Sequence, residues 1–277
     1  MRHVWVIGFL LTAVFGGGGL FLMEEVPREP IAVAREEGLS VTVTAEVPDA
    51  PARDRIVEVP ILVYHTVRKF VPGDGPLTRQ YNVTPETFEA HLSLLKDEGY
   101  ETIGFDELEG AILRGGELPE KPVILTFDDG TASHHANAFP LLEKYGFTGT
   151  FFVFSNAVDR PNYLTSEQIR AMRDAGMRFG NHTRYHQYLT RIPDDESVDE
   201  MREGKARMEE ILGEEVGVIA YPFGLHDDDV VSGAAMLGHR LGRTIREDRA
   251  HGPEDLMTLG AYQMNDTLRR LEYALGM

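Results

Sequence analysis

The sequence predicts an α/β fold, an irregular barrel of parallel strands with surrounding helices. Two observations predict it: short apolar runs recur along the chain, and stretches with helical periodicity lie between them. Strands that alternate with helices form a parallel sheet covered by helices, either a barrel or a doubly wound sheet. The chain has 277 residues, of which 42% are hydrophobic, which is enough for one such domain.

The expected strands are five apolar runs, at residues 60–64, 123–127, 150–154, 177–180 and 216–221. Thr84 and Pro85 predict the start of a helix whose apolar stripe ends before Gly99. Residues 165–168 form a capping box that opens a second helix. A charged third helix is expected from Asp194 to about Leu212. In both candidate architectures the chemistry lies at the carboxyl ends of the strands, so side chains that follow the strands are the candidates for function.

The amino-terminal segment is expected to direct export. Arg2 precedes an uncharged stretch at residues 4–23, and Glu24 follows it. A helix of that length spans about 30 Å, the thickness of the bilayer core, and its positive flank places the remainder outside the cell. No clear cleavage site precedes Glu24, so we interpret residues 1–23 as a signal anchor, with a cleaved signal peptide as the alternative. Residues 24–58 are interpreted as a flexible acidic linker, and residues 59–277 as the folded domain.

Composition excludes several classes of function. The formal net charge of −18 disfavours nucleic acid as a partner, and no protein partner is indicated. The chain has no cysteine, which excludes disulfides, thiol catalysis and thiolate metal sites. Any bound metal must therefore be held by histidine and carboxylate. No Gly-x-Ser-x-Gly elbow is present, which disfavours a serine hydrolase.

Two candidate metal-binding motifs follow predicted strands. Asp128 and Asp129 leave the strand at 123–127, where one carboxylate can bind a metal while the other stays free, although an ordinary Asp-Asp-Gly turn is the alternative. His182 and His186 follow the strand at 177–180, and their spacing brings two imidazoles together on one helical turn; two surface histidines are the alternative. Together the motifs favour a His-His-carboxylate site with open positions, suited to a metal that activates water and polarises a carbonyl.

These motifs carry a family resemblance. Thr-Phe-Asp-Asp-Gly at 126–130 and His-Thr-Arg-Tyr-His at 182–186 match the first two motifs of the polysaccharide deacetylase family, the NodB-homology group of carbohydrate esterases. Residues 220–224 resemble the third motif, Arg-x-Pro-Tyr-Gly, in part. Residues 60–65 resemble the entry strand of the extracellular branch, which includes biofilm poly-N-acetylglucosamine deacetylases.

The resemblance implies roles for individual residues. Asp129, His182 and His186 are the implied ligands of a divalent transition metal, with zinc as the default and cobalt or nickel as options. Asp128 is the implied general base. A backbone N–H near Phe223 is expected to stabilise the oxyanion. The expected sugar-pocket residues are Tyr221, Pro222 and Phe223, and core packing is the alternative for the two aromatic side chains.

The chain departs from the family pattern at two places. Ala220 stands where many members carry an arginine that orients the base, so Arg243 or Arg246 is a candidate for that task, or the chain belongs to a branch without it. The general acid is the second departure. His65, at the exit of the first strand, is the favoured acid, and His239, in a Leu-Gly-His sequence after a predicted helix, is the alternative.

The resemblance implies a metal-dependent hydrolase that removes N-acetyl groups from N-acetylglucosamine units of peptidoglycan or poly-N-acetylglucosamine and releases acetate. Two alternatives stay open: an O-acetyl esterase acting on a glycan, and an inactive, membrane-tethered sugar-binding module. The expected location is the outer face of the cytoplasmic membrane, or the exterior if residues 1–23 are cleaved.

Overall fold

The computed structural model describes residues 55–277. The predicted anchor at 1–23, and all but the last residues of the predicted linker at 24–58, lie outside the described residues. Val57 and Glu58 pair with His251 and Ala250, so the ordered domain includes two residues of the predicted linker. Within residues 55–277, no helix is long and apolar enough to cross a membrane.

The described residues form short strands and α-helices in alternation. The strands are β1 (Val57–Glu58), β2 (Ile61–Tyr64), β3 (Thr66–Val67), β4 (Asn82–Val83), β5 (Glu101–Thr102), β6 (Pro122–Phe127), β7 (Thr150–Val153), β8 (Arg178–Asn181), β9 (Val218–Ala220), β10 (Leu241–Arg243), β11 (Ala250–His251) and β12 (Tyr262–Gln263). The α-helices are α1 (Pro76–Tyr81), α2 (Pro85–Asp97), α3 (Phe105–Arg114), α4 (Phe139–Tyr145), α5 (Ser166–Asp174), α6 (Asp194–Leu212), α7 (Asp228–Met236) and α8 (Leu268–Leu275).

The central sheet is parallel, with the strand order β10-β9-β8-β7-β6-β2-β12, and β5 pairs with β6. A parallel bridge joins Arg243 of β10 to Leu259, just before β12. The segment from Leu259 to Gln263 therefore contacts both edges of the sheet and curves it toward closure. This is the irregular (β/α) barrel that the sequence predicts.

Side chains alternate along the strands between two apolar clusters. Leu62 and Tyr64 of β2 pack into a cluster with helical residues such as Phe88 and Leu92, whereas Ile61 and Val63 belong to a second cluster built mainly from the strands. Such near-continuous apolar strands, buried on both faces, are typical of a parallel sheet covered by helices.

The predicted helix starts are confirmed at atomic detail. Thr84 caps α2 by accepting the N–H of Thr87, and Thr165 with Gln168 forms the capping box of α5. Helix α6 has the predicted bounds and ends at Gly213, whose φ of 71° is the left-handed conformation that glycine adopts most easily. The five predicted strands all exist, with ends that differ by at most two residues. Strands β10 and β12 were not predicted, because each is only two or three residues long and leaves no apolar run in the sequence.

Candidate active site

The candidate functional residues meet at the carboxyl ends of β2, β6 and β8. His65 directly follows β2, Asp128 and Asp129 directly follow β6, and His182 directly follows β8. Because the strands run parallel, their exits lie at the same end of the barrel. The structure therefore brings together residues that are separated by more than a hundred positions in the sequence.

Asp129, His182 and His186 form a cluster that can hold a metal ion, with one donor atom from each within 4.8 Å of the others. Oδ1 of Asp129 lies 3.7 Å from Nε2 of His182 and 3.4 Å from Nε2 of His186. A tetrahedral ion with ligands at about 2.1 Å requires donor atoms about 3.4 Å apart. The three side chains therefore fit a small divalent cation.

Hydrogen bonds hold His182 in the form that a metal requires. Its Nδ1 lies 2.7 Å from the carbonyl oxygen of Ala220, to which it donates, so Nε2 presents its lone pair to the cluster. Burial lowers the pKa of His182 to about 3, which keeps the ring neutral. Ala220 thus contributes its backbone to the site, although its side chain cannot replace the motif arginine.

The histidine pair lies on a loop and not on a helix, which corrects the predicted helical turn. Thr183 and His186 have left-handed φ values of 68° and 58°. Asp129 and Phe223 also have positive φ. The site therefore contains four of the six non-glycine residues with positive φ in the described chain. Each such conformation costs about 1–3 kcal/mol and persists only where the surroundings enforce it.

Asp128 forms a buried ion pair with Arg243. Nη2 of Arg243 donates to both carboxylate oxygens of Asp128, at 2.7 and 2.6 Å. Arg243 is fully buried on β10, and its guanidinium carbon lies 5.2 Å from the ring centre of Phe152. Of the two candidate arginines, Arg243 reaches Asp128, whereas Arg246 is an exposed partner of Asp255.

Electrostatics separate the two neighbouring aspartates. Burial alone would raise the pKa of Asp128, but Arg243, assisted by His182 and His65, lowers it to about 2. Burial, reinforced by the charge of Asp128, raises the pKa of Asp129 in the metal-free protein. A cation at the cluster would offset that repulsion, which is why the pair of carboxylates is compatible with a metal site.

His65 lies beside Asp128. Its Nε2 is 3.9 Å from Oδ2 of Asp128, and its ring packs against Tyr81 at a centroid distance of 4.9 Å. Its backbone oxygen accepts a hydrogen bond from Nε2 of His134. Nothing in the sequence singles out His134, whose position after the Asp-Asp-Gly loop is typical of a solvated helix start. It is instead fully buried and opens a short π-helical segment, where it fixes the backbone of His65.

A cleft opens over the cluster. His65, Asp128, Asp129 and the histidine pair form its floor, and its walls include Leu77, Tyr81, Tyr188, Phe223 and Ile245. The rings of Phe223 and Tyr188 stack at 3.8 Å between centroids, and both are partly exposed. Of the three residues expected to line a sugar pocket, only Phe223 reaches the cleft. Tyr221 and Pro222 are buried. Tyr221 packs with Leu189 and Ile219 beneath the surface.

His239, the alternative acid, lies away from the cleft. It is 3% exposed, its Nδ1 donates to the carbonyl oxygen of Ala234, and its Nε2 accepts from the side-chain amide of Asn181. Asn181 also accepts the N–H of Thr183 and donates to the carbonyl oxygen of Met201. Asn181 therefore supports the histidine loop, and His239 supports Asn181.

Comparisons with known proteins agree with this geometry. Residues 115–242 match the family described as Polysaccharide deacetylase. A Bacillus subtilis protein named as a putative polysaccharide deacetylase, YxkH, is 26% identical over 94% of this chain and 92% of its own length. The poly-beta-1,6-N-acetyl-D-glucosamine N-deacetylase of Staphylococcus epidermidis is 24% identical over 67% of this chain and 72% of its own length.

Solved structures show the same fold. The deacetylase PplD of Streptococcus pyogenes, determined in complex with acetate, superposes with a TM-score of 0.74 and 28% identity, covering 80% of this chain and 99% of that one. IcaB from Ammonifex degensii gives a TM-score of 0.68 at 25% identity, covering 79% of this chain and 96% of that one. Residues 115–242, somewhat less than half of the chain, therefore match the polysaccharide deacetylase family, and the described domain shares its fold with PplD and IcaB.

Proposed function

We propose that this protein is a metal-dependent N-deacetylase that acts on N-acetylglucosamine units of a cell-surface polysaccharide, poly-N-acetylglucosamine or peptidoglycan, and releases acetate. The observation that carries the proposal is the Asp129, His182 and His186 cluster placed directly beside the buried Asp128–Arg243 pair. The named activity of the staphylococcal relative supports the choice of the polymer.

The metal in this proposal is held by Asp129, His182 and His186, and zinc is the first candidate because imidazole and carboxylate suit it. A cation there supplies a Lewis acid that polarises the acetyl carbonyl and makes water more acidic. Cobalt and nickel accept the same donors.

Asp128 is the proposed base. Its low pKa keeps it ionised, and Arg243 holds it in one orientation, so it is ready to take a proton from the attacking water. The water oxygen adds to the carbonyl carbon, and negative charge then develops on the carbonyl oxygen. The backbone N–H of Phe223 is the proposed donor from the protein to that oxygen.

His65 is the proposed acid. Because its Nε2 lies 3.9 Å from the oxygen of Asp128, it is close to the point where the carbon–nitrogen bond breaks. His65 gives a proton to the leaving nitrogen, which departs as the amine of the sugar while the acetyl group leaves as acetate. The stacked Phe223 and Tyr188 form the proposed wall for the sugar ring.

Two departures from the family pattern favour the inactive sugar-binding alternative. They are the absence of the motif arginine at Ala220 and the lack of a clear motif for the acid. Arg243, on β10, donates a hydrogen bond to Asp128, the proposed base. The Nε2 atom of His65 lies 3.9 Å from Oδ2 of Asp128. A protein that only binds sugar has no need of this buried charge pair, which is costly to desolvate. Among residues 55–277, no feature favours an O-acetyl ester over an N-acetyl amide.

The proposal includes export and attachment to the outer face of the membrane through residues 1–23. It is supported by the uncharged stretch at 4–23. Fractionation of cells, before and after deletion of residues 2–23, tests the attachment: the full chain is expected with the membranes, and recovery of uncleaved full chain in the soluble fraction contradicts it.

Acetate release tests the activity. The purified protein is assayed on N-acetylglucosamine oligomers, on peptidoglycan and on an O-acetylated glycan, with and without a chelator. We expect acetate and free amine in equal amounts from an N-acetylated substrate, loss of both with chelator, and recovery on addition of Zn²⁺. Acetate release from the O-acetylated glycan alone would contradict the proposal.

A further inference from the structure

Helix α6 supports the loop that carries both candidate metal-binding histidines, and one face of the helix makes the contact. Glu200, Met201 and Gly204 lie on this face, since residues three and four positions apart are neighbours on a helix. Glu200 is only 5% exposed. Its Oε2 accepts the backbone N–H of Tyr185 at 2.8 Å, and its Oε1 accepts the side-chain amide of Gln187 at 3.2 Å.

The contact between helix and loop is as close as backbones permit. A Cβ at Gly204 would lie 2.4 Å from Oδ1 of Asn181 and 2.6 Å from the carbonyl carbon of Thr183. The carbonyl oxygen of Met201 accepts the side-chain amide of Asn181 at 2.9 Å. The loop therefore has little freedom to move toward α6, and Glu200 prevents it from moving away.

Glu200 contacts the histidine loop at Tyr185, where the loop backbone has its unusual conformation. Tyr185 lies between the left-handed residues Thr183 and His186, and this backbone conformation needs external support. The N–H that Glu200 binds is thus located between the two histidines, one residue before His186. A carboxylate that accepts a backbone N–H makes a stronger hydrogen bond than a neutral acceptor does.

We propose that Glu200 is a positioning residue for the metal centre. Glu200 holds the 182–186 loop so that His182 and His186 meet Asp129. The proposal rests on the proposed function only in assuming that a cation binds to these three residues. Outer partners of metal ligands commonly change metal affinity by about 10–100-fold.

The test measures metal affinity in the absence of substrate. Metal-free protein is titrated with Zn²⁺ in competition with a chromophoric chelator, for the wild type, Glu200→Ala and Glu200→Gln. We expect Glu200→Ala to weaken Zn²⁺ binding by about 10–100-fold. Glu200→Gln keeps an oxygen that can accept the N–H of Tyr185, so it is expected to recover most of the loss.

Glu203→Ala is the matched control. Glu203 lies on the same helix and pairs with Arg184 of the same loop, but the two side chains are 49% and 40% exposed. Exposed pairs contribute little, so Zn²⁺ affinity is expected to stay within about threefold of the wild type. Wild-type affinity in a folded Glu200→Ala variant, or equal losses in the alanine and glutamine variants, would overturn the proposal.

Hydrogen exchange separates this proposal from the proposed function. The backbone amide of Tyr185 is expected to exchange slowly in the metal-free wild type and in Glu203→Ala, and quickly in Glu200→Ala. Fast exchange in the wild type overturns the role of Glu200 even if the alanine variant fails to fold. A wild type that binds no Zn²⁺, yet protects Tyr185, contradicts the proposed function while leaving the contact intact.

Discussion

Arg243 and Asp128 form a buried ion pair although 115 residues separate them in the sequence. One nitrogen of the guanidinium bridges both oxygens of the carboxylate, and neither side chain is more than 4% exposed. Arg243 extends from β10, whereas the arginine of the common family motif would stand at Ala220, the last residue of β9. A positive charge thus approaches Asp128 from the strand next to β9.

The pair is expected to show a strong coupling in stability. Arg243→Met leaves Asp128 as an uncompensated buried charge and should lower the free energy of unfolding by about 3–5 kcal/mol. The double variant Arg243→Met with Asp128→Asn removes both charges and should be more stable than the single arginine variant. Urea unfolding measures both. The exposed Arg246→Met is the control and should change stability by less than about 0.5 kcal/mol.

Asp128 and His182 should separate metal binding from turnover. Asp128→Asn is expected to retain the metal and lose at least about 100-fold in acetate release, because a general base contributes about 10²–10⁴-fold. His182→Ala should lose both metal and activity. Metal content of the purified proteins and initial rates are the measurements, with the exposed Asp195→Asn as control. Near-normal turnover by Asp128→Asn would show that another group is the base.

The assignment of His65 as acid predicts a dependence on the leaving group. His65→Gln should reduce hydrolysis of an N-acetyl amide by about 10²-fold or more, since the amine must be protonated as it leaves. Hydrolysis of 4-nitrophenyl acetate should fall much less, because its leaving group needs no proton. His239→Gln should leave the ratio of the two rates unchanged. The opposite pattern, with the ratio altered by His239→Gln alone, would transfer the role to His239.

The stacked pair at the cleft predicts an effect on binding of the sugar polymer. Tyr188→Ala removes the ring that packs on Phe223, and an aromatic contact of this kind contributes about 0.5–1.5 kcal/mol. We expect KM for an N-acetylglucosamine oligomer to rise by about fivefold, with a small change in kcat. Tyr273→Ala, an exposed tyrosine on α8, serves as control and should not change KM.

Buried histidines that do not line the cleft predict a loss of stability in mild acid. Burial lowers the pKa of His239 to about 4 and also lowers that of His91. In the unfolded chain each titrates near 6.5, so between about pH 6.5 and 4 the unfolded state binds more protons than the folded state. Stability is therefore full above about pH 6.5 and falls as the pH decreases, by up to about 1.4 kcal/mol per pH unit for each histidine.

The measurement is the urea midpoint at about pH 7.5 and at about pH 5, on either side of the ordinary histidine pKa. His239→Asn removes one of the titrating groups and should reduce the difference between the two midpoints. The exposed His226→Asn is the control. An unchanged difference in the His239 variant would show that this ring does not stay neutral in the folded protein.

The sequence by itself determined the barrel and the four central residues of the site. Asp128, Asp129, His182 and His186 were identifiable because each pair is close in sequence and follows a predicted strand, so local order already indicates the end of the sheet at which they lie, although not the loop conformation of the histidines. The helix starts at Thr84 and Thr165 were equally readable, since capping depends on residues within one turn.

Only the tertiary structure decided which residues serve those four. The sequence does not distinguish Arg243 from Arg246 as the partner of Asp128. The curvature of the sheet distinguishes them, because it brings β10 and its buried arginine to the exit of β6. The same holds for Glu200, whose carboxylate looks like any other charge on an acidic helix until α6 packs on the histidine loop. Tyr221 was expected to line the sugar pocket with Phe223, but packing excludes it from the cleft. Tyr221 is buried, whereas Phe223, two positions later, is exposed. These relationships join distant segments through packing, and no local pattern in the sequence encodes them.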